Sequence, residues 1–127
     1  MNGRLSDKKE LMDPRELTDI EREITRWLIE HGTCSGEDKK IYAAQLSEVM
    51  VAGVCGCGCA SVDFAIPGEL ADRGGGLEIL GDFITKDRRF GIFVFAKNQK
   101  LGGVEIWSVQ GDETGAVFPA TDELMLI

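Results

Sequence analysis

Three cysteines alternate with two glycines in the stretch VCGCGCASVDF, and closely spaced thiols are the side chains of this sequence best suited to chemistry. The cysteines are Cys55, Cys57 and Cys59, and a fourth, Cys34, follows His31 at a spacing typical of a ligand pair. Thiolates and imidazole nitrogens are ligands that zinc prefers in four-coordinate sites. One hypothesis is therefore a zinc site formed by Cys34, Cys55, Cys57 and Cys59, with His31 as a further ligand.

The same stretch also permits interpretations without a metal. Structural zinc sites usually place two or more residues between paired cysteines, whereas here a single residue separates them. A disulfide across one residue is strained, and a redox pair more often has the Cys-x-x-Cys spacing. A catalytic thiolate needs a base, and His31 is the only histidine. We therefore favour a turn that Gly56 and Gly58 permit, with the thiols as small packing groups.

Carboxylates and aromatic residues supply further candidates for a site or an interface. Five carboxylates are spread over the predicted strands and turns: Asp63, Asp82, Asp87, Glu105 and Asp112. These carboxylates either converge on one site or are ordinary side chains in contact with solvent. Most of them occupy turns or strand positions that point outward, which favours contact with solvent. Phe95 and Trp107 are either anchors on an exposed sheet face or core residues under the helices. The glycine run 74–76 precedes a predicted strand, so a phosphate-binding loop before a helix is not expected.

The first half of the chain must supply the helices that support these residues. Residues 1–13 are predicted to be a flexible N-terminal segment. Thr18 and Glu21 have the spacing of a capping box at the start of the first helix, and Asp13 followed by Pro14 is a competing start. Gly32 is predicted to end that helix in a left-handed conformation. Apolar residues recur at helical steps along one face: Leu17, Ile20, Ile24, Trp27, Leu28 and His31.

A second helix at residues 37–46 and a series of strands follow. The strand segments are rich in β-branched and aromatic residues and are separated by glycine, proline or charged turns: 49–54, 60–66, 77–85, 90–97 and 104–109. Helices that precede hairpin-linked strands are typical of the α+β class. The prediction is a single domain over residues 1–127, with two N-terminal helices packed on one face of a roughly five-stranded antiparallel sheet.

The charge balance bears on the partner and the compartment. The 22 acidic and 14 basic residues give a net charge of −8, which repels nucleic acid and favours a basic protein partner. The sequence shows neither an apolar signal segment nor a run long enough to cross a membrane, so a cytoplasmic protein with reduced thiols is expected. Because no catalytic set is recognisable, we expect a non-enzymatic protein-binding module without a cofactor; the alternative is a zinc-binding or thiol-dependent protein.

The segment QLSEVMVAGVCGCGCASVDFAI and the upstream LTDIEREITRWLIEHG resemble a family of small bacterial α+β proteins with a Cys-Gly-Cys-Gly-Cys turn. The resemblance covers residues 15 to about 120 and implies a capped helix, a second helix and a C-terminal half like LGGVEIWSV before a proline. It supplies no catalytic residues. By size, charge and architecture the chain also resembles bacterial immunity proteins, which implies that it binds and neutralises a basic toxin domain.

Overall fold

The computed structural model describes residues 9–66 and 76–127, which form two helices and one sheet. The elements in chain order are β1 (Lys9–Arg15), α1 (Asp19–Glu30), α2 (Gly36–Gln45), β2 (Met50–Cys55), β3 (Val62–Ala65), β4 (Glu78–Thr85), β5 (Phe90–Lys97), β6 (Lys100–Ser108), a 3₁₀ turn (Thr121–Glu123) and β7 (Leu124–Leu126). The predicted α+β class is confirmed. Residues 1–8 of the predicted flexible segment, and most of the glycine run 74–76, lie outside the described residues.

The sheet has seven strands in the order β1-β2-β3-β6-β5-β4-β7, and all neighbouring pairs are antiparallel. The prediction of about five strands is wrong in the count, because β2 to β6 are the predicted segments and each sheet edge carries one more strand. β1 contains Pro14 and several charges, which an edge strand tolerates and a central strand does not. Residues 9–13, which are part of the segment predicted to be flexible, belong to this strand.

α1 begins with the capping box that the sequence predicts. The Thr18 hydroxyl accepts a hydrogen bond from the Glu21 amide at 3.1 Å, and the Glu21 carboxylate accepts one from the Thr18 amide at 2.9 Å. The predicted apolar face is confirmed for three residues that are buried against the sheet: Leu17, Ile24 and Leu28. Ile20 is 64% exposed, so the apolar face is narrower at the start of the helix than the sequence predicts.

Gly32 brings the end of α1 close to β4. The prediction that Gly32 adopts a left-handed conformation is wrong, because its φ angle lies outside the left-handed region. A Cβ at Gly32 would lie 2.9 Å from the Cα of Gly81. The next amide, that of Thr33, donates to the Leu80 carbonyl oxygen of β4 at 3.0 Å. The missing side chain therefore serves the close approach of helix and strand.

α2 is attached to the turn between β5 and β6. The Ser35 hydroxyl accepts a hydrogen bond from a backbone amide of the first turn, and Tyr42 is buried. At the other end, the Gln45 side chain donates to the Gln99 carbonyl oxygen and accepts from the Leu101 amide, both at 2.8 Å. Within the described parts of the chain, no helix combines the length and the apolar character needed to cross a membrane.

The helices cover one face of the sheet, and we name the opposite face the second face. α1 contacts Gly81 and Phe83 of β4, which identifies the helix side. Since side chains alternate along a strand, Asp82 lies on the second face with the residues paired to it across the sheet. Alternation and register place six residues of interest there: Asp63, Asp82, Phe93, Phe95, Glu105 and Trp107.

Candidate metal centre

The cysteine stretch is the connection between β2 and β3, as predicted. β2 ends at Cys55, whose carbonyl oxygen accepts a hydrogen bond from the Gly58 amide at 3.2 Å and so closes a turn. Gly58 has a φ of +91°, a conformation that favours glycine. The Ala60 amide then donates to the Gly115 carbonyl oxygen at 2.7 Å, which attaches the returning chain to the C-terminal segment. The prediction of a glycine-permitted turn between two strands is confirmed.

The three sulfur atoms of this turn converge. The Sγ atoms of Cys55, Cys57 and Cys59 all lie within 4.8 Å of one another. Cys55 Sγ and Cys57 Sγ are 2.8 Å apart, and the Cys59 amide donates to Cys57 Sγ at 3.4 Å. Cys55 is buried, Cys59 is half-buried and Cys57 is exposed, so the cluster is closed on the side of the sheet and open to solvent at the turn. We name these three residues the thiol cluster.

Cys34 and His31 are not part of the thiol cluster. Thr33, the residue before Cys34, is hydrogen-bonded to β4, which is the third strand from β3 in the sheet and thus about 14 Å across it. The His31 ring is exposed and stacks on Trp27 with ring centroids 4.2 Å apart. The structure therefore brings together three of the five predicted zinc ligands, whereas the other two lie at the end of α1 next to β4.

Burial affects the protonation of Cys55, the buried member of the thiol cluster. Desolvation, followed by the hydrogen bond to Cys57, raises the pKa of the Cys55 thiol to about 12. Cys55 is therefore a neutral thiol at pH 7, whereas a nucleophilic cysteine needs a lowered pKa. A bound metal ion would supply the positive charge that allows the thiols to lose their protons. The electrostatics thus disfavour a catalytic thiolate and are compatible with a metal centre.

The carboxylates singled out in the sequence form no group of metal-binding spacing among the described residues. Asp82 and Glu105 are both paired with Phe93 on the second face, so two strand spacings, about 10 Å, separate their Cα atoms. Asp87 lies in the turn after β4, where its carboxylate accepts hydrogen bonds from the hydroxyl of Thr85 and the amide of Arg89 at 2.6 and 3.0 Å. Among the described residues, the thiol cluster is the one group of side chains with metal-binding geometry.

The two aromatic candidates share the second face but differ in exposure. Trp107 is 41% exposed and lies across Gly91, where a Cβ would meet the indole ring. Phe95 is 8% exposed and lies against Gly102 in the neighbouring strand. Aromatic rings over strand glycines fill the missing side-chain volume and fix the local register. Neither residue lies under the helices, and only Trp107 presents a large accessible surface.

Comparison of the chain with protein-family models, with curated proteins and with solved structures finds no match in any of the three. The resemblance to small bacterial proteins with a Cys-Gly-Cys-Gly-Cys turn, and that to immunity proteins, therefore stay predictions.

Proposed function

We propose that this protein binds a thiophilic metal ion through Cys55, Cys57 and Cys59. The observation that carries the proposal is the convergence of three Sγ atoms within 4.8 Å. A zinc ion with tetrahedral Zn–S bonds of about 2.3 Å holds its sulfurs about 3.8 Å apart. Changes of about 1 Å in the side chains would reach that separation, and Cys55 and Cys57, at 2.8 Å, would move apart.

The exposure of the cluster favours an exchangeable ion. Structural zinc sites have four protein ligands, whereas sites that keep an open position have three. Here Cys57 faces solvent, so water or an external ligand would complete the coordination from that side. A cytoplasmic location belongs to this proposal, because a reducing compartment keeps the thiols available.

The test is a titration of the reduced, metal-free full-length chain with cadmium(II), followed by the thiolate-to-cadmium charge-transfer absorbance. We expect one equivalent to bind and Cys57→Ser to abolish tight binding, since this exposed side chain contributes a ligand and little packing. Cys34→Ser is the matched control and should bind as the wild type does. Absence of binding by the wild type, or equal loss in both variants, would overturn the proposal.

We also propose a second function, the binding of a basic protein partner such as a toxin domain, by analogy with immunity proteins. Its support is the net charge of −8 together with two exposed apolar side chains, Trp107 and Ile79, on the second face. Acidic surfaces accelerate encounter with basic partners, and exposed aromatic residues are frequent anchors of interfaces.

Affinity purification from cells of the native host, with partners identified by mass spectrometry, tests this second function. The wild type should retain a basic protein at low salt and retain less of it at moderate salt. Trp107→Ser should weaken the retention, whereas Val117→Ser, which changes an exposed apolar side chain outside the sheet, should not. Identical captures by the wild type and Trp107→Ser would count against an interface on the second face.

A further inference from the structure

We propose that the thiol cluster is suited to trivalent arsenic, taken up as arsenite and held by Cys55, Cys57 and Cys59, in preference to zinc. This inference rests on the proposed metal-binding function and specifies its ion. It follows from three properties of the cluster: the number of converging sulfurs, the charge that remains after binding, and the proton balance of the reaction.

The number of ligands fits a pyramidal ion. Three sulfurs converge, and no fourth histidine, cysteine or carboxylate ligand joins them among the described residues. Trivalent arsenic forms three bonds to sulfur, and its lone pair occupies the fourth direction. Zinc requires a fourth ligand, which here would have to come from solvent on the side of Cys57. The cluster is thus complete for arsenic and incomplete for zinc.

The net charge of the site after binding also differs between the arsenic and the zinc complex. Three thiolates neutralise a trivalent centre, whereas they leave one negative charge around a divalent ion. Cys55 is buried with 6% of its surface exposed, so a net charge on its side of the cluster would be poorly solvated and costly. The chain as a whole carries a net charge of −8, which does not favour an added negative charge. A neutral product is therefore favoured.

The proton balance gives the clearest distinction. Arsenous acid reacts according to As(OH)₃ + 3 RSH → As(SR)₃ + 3 H₂O, so three As–O bonds and three S–H bonds are replaced, without oxidation and without net release of protons. Zinc binding instead releases a proton from each thiol and competes with protons at every sulfur.

The experiment compares arsenite with zinc(II) on the reduced full-length chain between pH 6 and pH 8. Native mass spectrometry should show one arsenic per chain with the loss of three thiol protons, and arsenite affinity should change by less than about tenfold over this range. Zinc affinity should rise by up to about 1000-fold per pH unit, as three released protons require. Cys57→Ser should lower arsenite affinity at least about 100-fold, more than loss of an outer-shell contact does.

The controls separate this inference from the proposed function. Cys34→Ser should bind arsenite as the wild type does, and circular dichroism of Cys57→Ser should show an intact fold. Binding of zinc or cadmium without arsenite would overturn the arsenic inference and leave the metal-binding proposal standing. A pH-dependent arsenite affinity, or a bound arsenic that leaves one cluster thiol free for alkylation, would also overturn the inference. Binding of none of these ions would overturn both.

Discussion

Cys55 Sγ lies 2.8 Å from Cys57 Sγ, although the first residue is buried in the sheet and the second is exposed at the turn. The Cys55 backbone belongs to β2, whereas Cys57 lies inside the turn that the Gly58 amide closes. The contact therefore joins a sulfur that the sheet holds in place to one that a solute can reach. Folding should be coupled to the proton on the buried thiol, because its pKa is raised in the folded state.

The stability of the metal-free protein should fall with rising pH because of Cys55. Burial and the neighbouring thiols raise its pKa to about 12, whereas an unfolded cysteine has a pKa of about 8.5. The folded state binds this proton more tightly, so the contribution to the unfolding free energy is full below about pH 8.5 and is lost as the pH rises towards 12. Urea unfolding at pH 8, 9 and 10 should show a steeper loss for the wild type than for Cys55→Ala. Parallel pH profiles would contradict this coupling.

The cysteine turn could be predicted from the sequence, but the convergence of its sulfurs could not. Alternating glycines indicate a turn, yet the positions of the sulfurs depend on the φ of Gly58, which reverses the chain between Cys57 and Cys59. The remoteness of Cys34 depends on strand order, because β6 and β5 lie between β3 and β4 in the sheet. Local patterns contain no information on that order, so the sequence alone could not place Cys34 away from the other three cysteines.

Loss of the Glu21 charge should destabilise the protein at neutral pH and remove part of its acid sensitivity. Burial opposes ionisation, but Arg15 and the Thr18 cap outweigh it and hold the pKa of Glu21 below its ordinary value. Arg15 contacts both carboxylate oxygens at 2.9 Å. A lowered pKa contributes stability above the unfolded value of about 4.3, and this stability is lost as the pH falls.

Glu21→Gln should therefore lower the unfolding free energy at pH 7 by about 1 to 2 kcal/mol, which is the range for a cap or a charge-assisted hydrogen bond. The difference from the wild type should shrink between pH 5 and pH 3 in chemical unfolding experiments. Ser35→Ala, which removes the uncharged cap of α2, should lower stability by about 1 kcal/mol at both ends of this range. A Glu21→Gln deficit that does not change with pH would refute the electrostatic explanation.

A methyl group at Gly32 should be strongly destabilising, whereas one at Gly36 should not. A Cβ atom at position 32 would lie 2.9 Å from the Cα atom of Gly81. The backbone of β4 would have to shift to relieve this contact, which would lower the free energy of unfolding. Gly36 has no neighbour within 4 Å of an added Cβ and begins α2. We expect Gly32→Ala to lose about 3 kcal/mol and Gly36→Ala to gain up to about 1 kcal/mol. Equal urea midpoints for the two variants would exclude close helix–strand contact as the role of Gly32.

Gly32 also illustrates why the fold could be predicted only in outline. Apolar periodicity and the Thr18 capping box locate α1, because both are local properties of the chain. A glycine after a helix has two interpretations, a left-handed turn or a close approach, and only the position of β4 distinguishes them. The edge strands β1 and β7 have little pattern of their own, since pairing with one neighbour defines each of them.

Removal of the charge at Asp82 should stabilise the protein at neutral pH. Its Oδ1 atom is buried and has no hydrogen-bond partner in the described part of the chain, and desolvation raises the pKa of this carboxyl group. A raised pKa means that the folded state favours the protonated form, so stability is full below the unfolded pKa of about 3.9 and is lost as the pH rises. Asp82→Asn should therefore unfold at a higher urea concentration than the wild type at pH 7, and the advantage should shrink near pH 4.

Asp87→Asn is the matched control for this prediction. The Thr85 hydroxyl and the Arg89 amide donate hydrogen bonds to the Asp87 carboxylate and lower its pKa, so its charge favours the folded state. Loss of that charge should reduce stability at pH 7, which is the opposite sign to Asp82→Asn, although both substitutions remove one negative charge. If both variants were stabilised equally, relief of the overall negative charge would explain the result, and the desolvation of Asp82 would have no specific role.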